Sequence, residues 1–117
     1  MQVTFDCANP ATLAAFWSEV LSYPPPAILD EDHAIIGDPK DVHPPLFFQR
    51  VPEAKVAKNR VHLDVHVGSG SGNRRPQIDS EADRLVGLGA RRLHSVPGDG
   101  GYFVVMQDPE GNEFCLD

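Results

Sequence analysis

The stretch NRVHLDVHV, residues 59–67, decides how the chain is organised. With period two it separates into Val61, Leu63, Val65 and Val67 on one side and Arg60, His62, Asp64 and His66 on the other. Alternation of this kind predicts a strand with one dry face and one face toward water or a cavity. Downstream, GSGSGNRRPQ (68–77) predicts a flexible loop without core-forming content. DSEADRLVGLGA (79–90) predicts a helix capped by Asp79 or Ser80, with Ala82, Leu85 and Val86 inward and Gly89 ending it. RRLHSV (91–96), YFVVMQ (102–107) and NEFCLD (112–117) predict three further strands. The last two flank DPEG, where Pro109 suits the second position of a type I turn and Gly111 supplies a positive φ.

Upstream of residue 59 the same order is found. QVTFDC (2–7) predicts a strand with Val3, Phe5 and Cys7 on one face and Gln2, Thr4 and Asp6 on the other. ANPATLAAFWSEVLSY (8–23) predicts a helix with Asn9 as cap and Pro10 at its first position. Leu13, Phe16, Trp17, Val20 and Leu21 form its apolar stripe, which marks Trp17 as a core residue. The run YPPP (23–26) stops it. Short strands follow at 27–30 and 33–37, then the polar loop DPKDVHPP, then LFFQRV (46–51). Of Phe47 and Phe48, alternation sends one inward and one to the opposite face. His33 and His43 fall among polar residues and are expected in solvent.

Strand, helix and three strands therefore occur twice, as modules of about 1–55 and 59–117 within one domain. The expected fold is α+β: two βαβββ modules forming a cupped, eight-stranded, barrel-like sheet with helices outside. The formal charge of −7 and pI of about 5.0 disfavour nucleic acid as a partner. No segment approaches the ~20 apolar residues of a membrane helix, and MQVTFDC has no basic stretch before an apolar run. No membrane partner and a cytoplasmic setting are expected. Cys7 and Cys115 show no metal-binding or disulfide spacing and are expected as buried free thiols.

Taken together, NPATLAAFWSEVLSY, LFFQRVPE, NRVHLDVHV, EADRLVGLGA and VMQDPEGNEFCLD span nearly the whole chain. In that order they resemble the vicinal-oxygen-chelate superfamily, and within it the glyoxalase-like, bleomycin-resistance and dioxygenase families. The resemblance implies a small-molecule ligand in a concave cup and a homodimer. It also implies a metal site drawing one ligand from the first and last strands of each module. Here those positions fall on Gln2, Gln49, Arg60 and Cys115. Arginine stays protonated and cannot ligate a metal. Loss of both carboxylates also removes the charge that holds a hard divalent ion. The usual metal site is therefore expected to be dismantled, with no metal and no cofactor.

On the alternating strand itself, His62 with Asp64, or Asp64 with His66, are spaced to reach one ion. All three would need strong strand curvature, and a further ligand would have to come from Gln49, Cys115 or Glu113. A metal-free polar pocket wall is the favoured alternative, in which Arg60 pairs with Asp64 or receives a ligand carboxylate. Cys115 beside Arg60 is either a thiolate of lowered pKa or, preferred, a small lining residue. The expected binding residues are Gln2, Gln49, Arg60, His62, Asp64, His66 and Cys115; no catalytic residue is assigned. The leading expectation is small-molecule binding. The alternative is a lyase, isomerase or dioxygenase using a non-standard metal or Cys/His site.

Overall fold

The computed structural model describes residues 1–68, 72–97 and 101–117. Of the run GSGSG, the middle three residues lie outside that description. The chain divides into two compact units, Met1–Val56 and Ala57–Asp117.

The first unit contains β1 (Val3–Cys7), α1 (Pro10–Leu21), β2 (Ala27–Asp30), β3 (His33–Ile36) and β4 (Leu46–Arg50). α1 starts where its signals place it. The Asn9 side chain accepts the Thr12 N–H at 3.2 Å and Pro10 occupies the first turn. Ser22, at φ 56°, closes the C-terminus in the left-handed region. The strands form a sheet in the order β1-β4-β3-β2, with β1 parallel to β4 and the other pairs antiparallel. α1 packs on β3 and β4 and buries Leu13, Phe16, Trp17 and Val20 against Ala34, Ile36, Leu46 and Phe48. Phe48 is the inward member of its pair; Phe47 is half-buried.

The second unit repeats this with β5 (Asp64–Val65), α2 (Arg75–Gly87), β6 (Arg91–Val96), β7 (Phe103–Gln107) and β8 (Glu113–Leu116). Its sheet order is β5-β8-β7-β6, again with one parallel pair, β5 on β8. Ile78, Ala82 and Leu85 of α2 are buried together with Val104, Met106, Phe114 and Leu116. The fold is thus α+β with two helices and two four-stranded sheets. Among the described residues the eight strands pair as two separate four-stranded sheets, one in each unit.

Two elements differ from their sequence reading. α2 begins at Arg75, a full turn before Asp79 and Ser80, which therefore lie inside the helix rather than capping it. Pro76 in the first turn needs no N–H partner, and the Asn73 side chain accepts the Arg75 N–H at 3.1 Å. Starting earlier brings Ile78 into the core, while Val86, expected inward, is 46% exposed. Gly89 does end the helix, at φ 109°, and an added Cβ there would meet Pro109 at 3.3 Å.

The second difference is β5, which spans only Asp64–Val65 rather than 59–67. Its partner β8 starts at Glu113, and the two strands pair only at Asp64 with Cys115 and Val65 with Leu116. Asn59 is held instead by the Glu113 side chain, which accepts its N–H at 3.3 Å. Val61, expected on the dry face, is 79% exposed.

A polar clasp joins α2 to β6 and the start of β7. The Tyr102 hydroxyl and the Arg92 guanidinium both donate to Asp79 Oδ1, the latter at 2.7 Å. Arg75 lies 4.7 Å over the Tyr102 ring. Tyr102, then Arg92, hold the Asp79 carboxyl below the usual carboxylate range. A carboxylate depressed in the folded state adds stability above its unfolded pKa of ~3.9, and that stability is lost as pH falls through the folded value. Asp79→Asn should therefore lower the melting temperature by a constant amount from pH 8 to about pH 5, with the gap closing below about pH 4. A gap unchanged at pH 3 would show that the charge on Asp79 does not act.

Candidate functional site

The parallel pairing of β5 with β8 places Asp64 directly opposite Cys115. Backbone bonds fix this register: Cys115 N–H donates to Leu63 O, Asp117 N–H to Val65 O and Val67 N–H to Asp117 O, at 2.7–3.0 Å. Along β8, Phe114 and Leu116 are fully buried, so Cys115 and Asp117 project from the other face. His62 completes the first cluster, its Nδ1 lying 3.0 Å from Asp64 Oδ1. One ligand-type atom from each of His62, Asp64 and Cys115 falls within 4.8 Å of the others. One step further along the same face, His66 Nδ1 is hydrogen-bonded to Asp117 Oδ1.

This arrangement corrects two pairings. Asp64 takes His62 rather than Arg60, which is exposed and precedes the strand. Cys115 likewise faces Asp64, not Arg60. Burial first, then the Asp64 carboxylate, push the Cys115 thiol above its ordinary value; nearby Lys58 opposes them weakly. The thiol is thus the reverse of an activated thiolate. Of the two free cysteines, Cys7 is buried and Cys115 half-buried. Native protein at neutral pH should therefore react with iodoacetamide several-fold more slowly than free cysteine, and Asp64→Asn should speed labelling at Cys115. Labelling of Cys115 faster than free cysteine would contradict this environment.

Beyond His66 and Asp117 the face opens into a cavity of about 400 Å³, also lined by Asn73, Arg74, Arg75 and Tyr102. Sequence reading misses Asn73, Arg74 and Arg75 because it starts α2 too late, and Tyr102, just before β7, because no local signal ties it to this face. Pro76, a first-turn residue by type, was the available signal. Arg74 donates to Val67 O at 3.3 Å, which ties the helix start to the end of β5.

The expected first-unit residues do not assemble with each other. Gln2 is exposed and precedes β1, whereas Gln49 lies opposite Asp6 and donates to its carboxylate at 2.8 Å. Gln2 stands four positions before Asp6, so about 13 Å of extended chain separates it from the position opposite Gln49. Each module thus sets an aspartate opposite its last-strand candidate, Asp6 on Gln49 and Asp64 on Cys115. His33, expected in solvent, is half-buried; it pairs with Asp30 at 2.8 Å and stacks on Phe47 at 5.5 Å. His43 is exposed as expected.

A family model described as a glyoxalase-like domain matches residues 2–116. No curated protein matches the chain significantly. Solved structures are similar across nearly its full length. A glyoxalase/bleomycin resistance protein/dioxygenase family enzyme from Burkholderia phytofirmans PsJN is 14% identical, with TM-score 0.76, covering 98% of this chain and 94% of that one. The genomically encoded fosfomycin resistance protein FosX from Listeria monocytogenes is 13% identical, with TM-score 0.72 and coverage of 99% and 88%. The oxidase ChaP-H1 is 14% identical, with TM-score 0.66 and coverage of 98% and 90%. Among the described residues, no helix is long and apolar enough to cross a membrane.

Proposed function

Because the chain belongs to the glyoxalase-like domain family, we propose that it binds a small organic molecule on the polar face carried by β5 and β8. The observation that carries this reading is the cavity of about 400 Å³ at the end of that face. Its size falls within the ~300–1,000 Å³ range of small-molecule sites. His66 and Asp117 of that face line it together with Arg74 and Arg75, and the His62, Asp64 and Cys115 cluster lies on the same face beside them. A ligand with a carboxylate or phosphonate-like end toward the arginines and a polar end toward His62 and Asp64 matches these groups. Solved structures of similar fold include a fosfomycin resistance protein and an oxidase, which supports a second reading, turnover of the bound molecule rather than sequestration alone.

A fragment library of small carboxylates, phosphonates and diols, screened by amide chemical-shift perturbation, tests the reading. Hits should move residues 62–66, 74–75, 102 and 115–117 together. Hits that avoid these residues, or a library of several hundred compounds with none, would remove the proposal.

A further inference from the structure

β2 and β6 each end their sheet, with no hydrogen-bonded strand on the outer side among the described residues. They are corresponding strands of the two modules, and each is interrupted at one leucine. The pairing of β2 with β3 shifts between Ile28 and Asp30, and that of β6 with β7 shifts between Arg92 and His94. Leu29 and Leu93 are the residues skipped, and they are 57% and 42% exposed. Ile28, beside Leu29, and Leu88, just ahead of β6, are exposed as well. An interrupted edge resists indiscriminate strand addition, so side chains must select what it pairs with.

The charges beside the two leucines are opposite in sign. AILDED (27–32) holds three acids and no lysine or arginine, whereas LGARRLHSV (88–96) holds two arginines and no acid. Two β2 edges, or two β6 edges, would bring like charges together; β2 against β6 brings opposite ones. We propose that β2 of one copy of this chain lies antiparallel against β6 of a second copy, with Leu29 facing Leu93. That register sets Asp30 opposite Arg92 and Glu31 opposite Arg91. A parallel register with the same leucine pair sets Asp30 opposite His94 and leaves both arginines without an acid. Asp30 and Arg92 already have partners within the chain, His33 at 2.8 Å and Asp79 at 2.7 Å. Glu31 and Arg91 are exposed, and among the described residues neither side chain forms an ion pair. They are the charges available to an incoming copy. The contact joins the first unit of one copy to the second unit of another, and none of its residues lines the cavity assigned to the small molecule.

Sedimentation equilibrium of the full-length protein, from micromolar to submillimolar concentration, tests this. The wild type should associate, and more weakly as salt rises. Amide hydrogen exchange at residues 27–31 and 91–95 should slow as concentration increases. Glu31→Arg and Arg91→Glu should each weaken association by roughly fivefold or more, since each turns an attraction into a repulsion. The double variant Glu31→Arg/Arg91→Glu restores opposite charges and should associate nearly as the wild type does. The circular dichroism spectrum should be the same for the wild type and every variant, because both positions are exposed. A wild type that stays monomeric, an association that either single variant leaves unchanged, or a double variant no stronger than the singles would overturn the proposal.

Discussion

Trp17→Ala should leave the protein largely unfolded or lower its melting temperature by on the order of 10–20 °C. Trp17 is 1% exposed and sits where α1 meets the first sheet. Its ring stands edge-on to Phe5 at 5.4 Å and to Phe16 at 5.8 Å, and Phe5 in turn leans on Phe48 at 5.2 Å. Truncation removes the buried surface and leaves a cavity that three rigid rings cannot close, at about 3–5 kcal/mol. Typical domains have only ~5–15 kcal/mol in total. Trp17→Phe keeps most of the contact and should cost clearly less. Thermal unfolding followed by circular dichroism measures both, and an alanine variant melting within a few degrees of wild type would show that this cluster does not hold the first unit together.

Asp108→Ala should destabilise the second unit by about 3 kcal/mol, although it removes no apolar surface. Asp108 is 2% exposed at the head of the 108–111 turn. Its Oδ1 accepts the Glu110 and Asn112 N–H groups at 2.9 and 3.0 Å, and its Oδ2 accepts the Asn112 side-chain amide at 2.8 Å. Alanine leaves these donors without an acceptor in a partly buried turn, and each buried donor left unmet costs ~1–3 kcal/mol. The turn also sets Gln107 opposite Glu113 and thereby fixes where Cys115 lies along β5. Loosening it should disturb the β5–β8 face as well as stability. Asp108→Asn retains one accepting oxygen and should fall between the two. Urea midpoints read the effect, and a shift worth less than ~0.5 kcal/mol would mean that the backbone alone holds this turn.

Element order was legible because its signals are local. Asn9 and Pro10 announce α1, the stripe from Leu13 to Leu21 gives its buried face, and Pro109 with Gly111 marks the β7–β8 turn. The start of α2 was not, since Arg74, Arg75 and Gln77 look like loop and only Pro76 argues otherwise. Alternation over 60–67 describes a chain able to be a strand. It carries no information on how far the segment pairs with a neighbouring backbone, and the paired stretch is only Asp64–Val65.

The site was legible by residue type and misread by partner. His62, Asp64, His66 and Cys115 stood out as polar or reactive groups on a common face. Which of them meet depends on a parallel register between segments some fifty residues apart, and nothing local encodes that. Hence Cys115 was set beside Arg60 rather than Asp64, and the His66–Asp117 and Tyr102–Asp79 contacts were not foreseen.

Central to this account is that the β5–β8 face of the second unit is where the chain meets its ligand. The most direct measurement is the dissociation constant of the tightest fragment from the screen, taken on wild type and on His62→Ala, with the melting temperature of each. His62 is exposed, so the melting temperature should be unchanged while affinity falls about tenfold or more, the ~1.4 kcal/mol of one hydrogen bond to a charged or polar partner. Equal affinity in two equally stable proteins would place the ligand elsewhere and contradict the account.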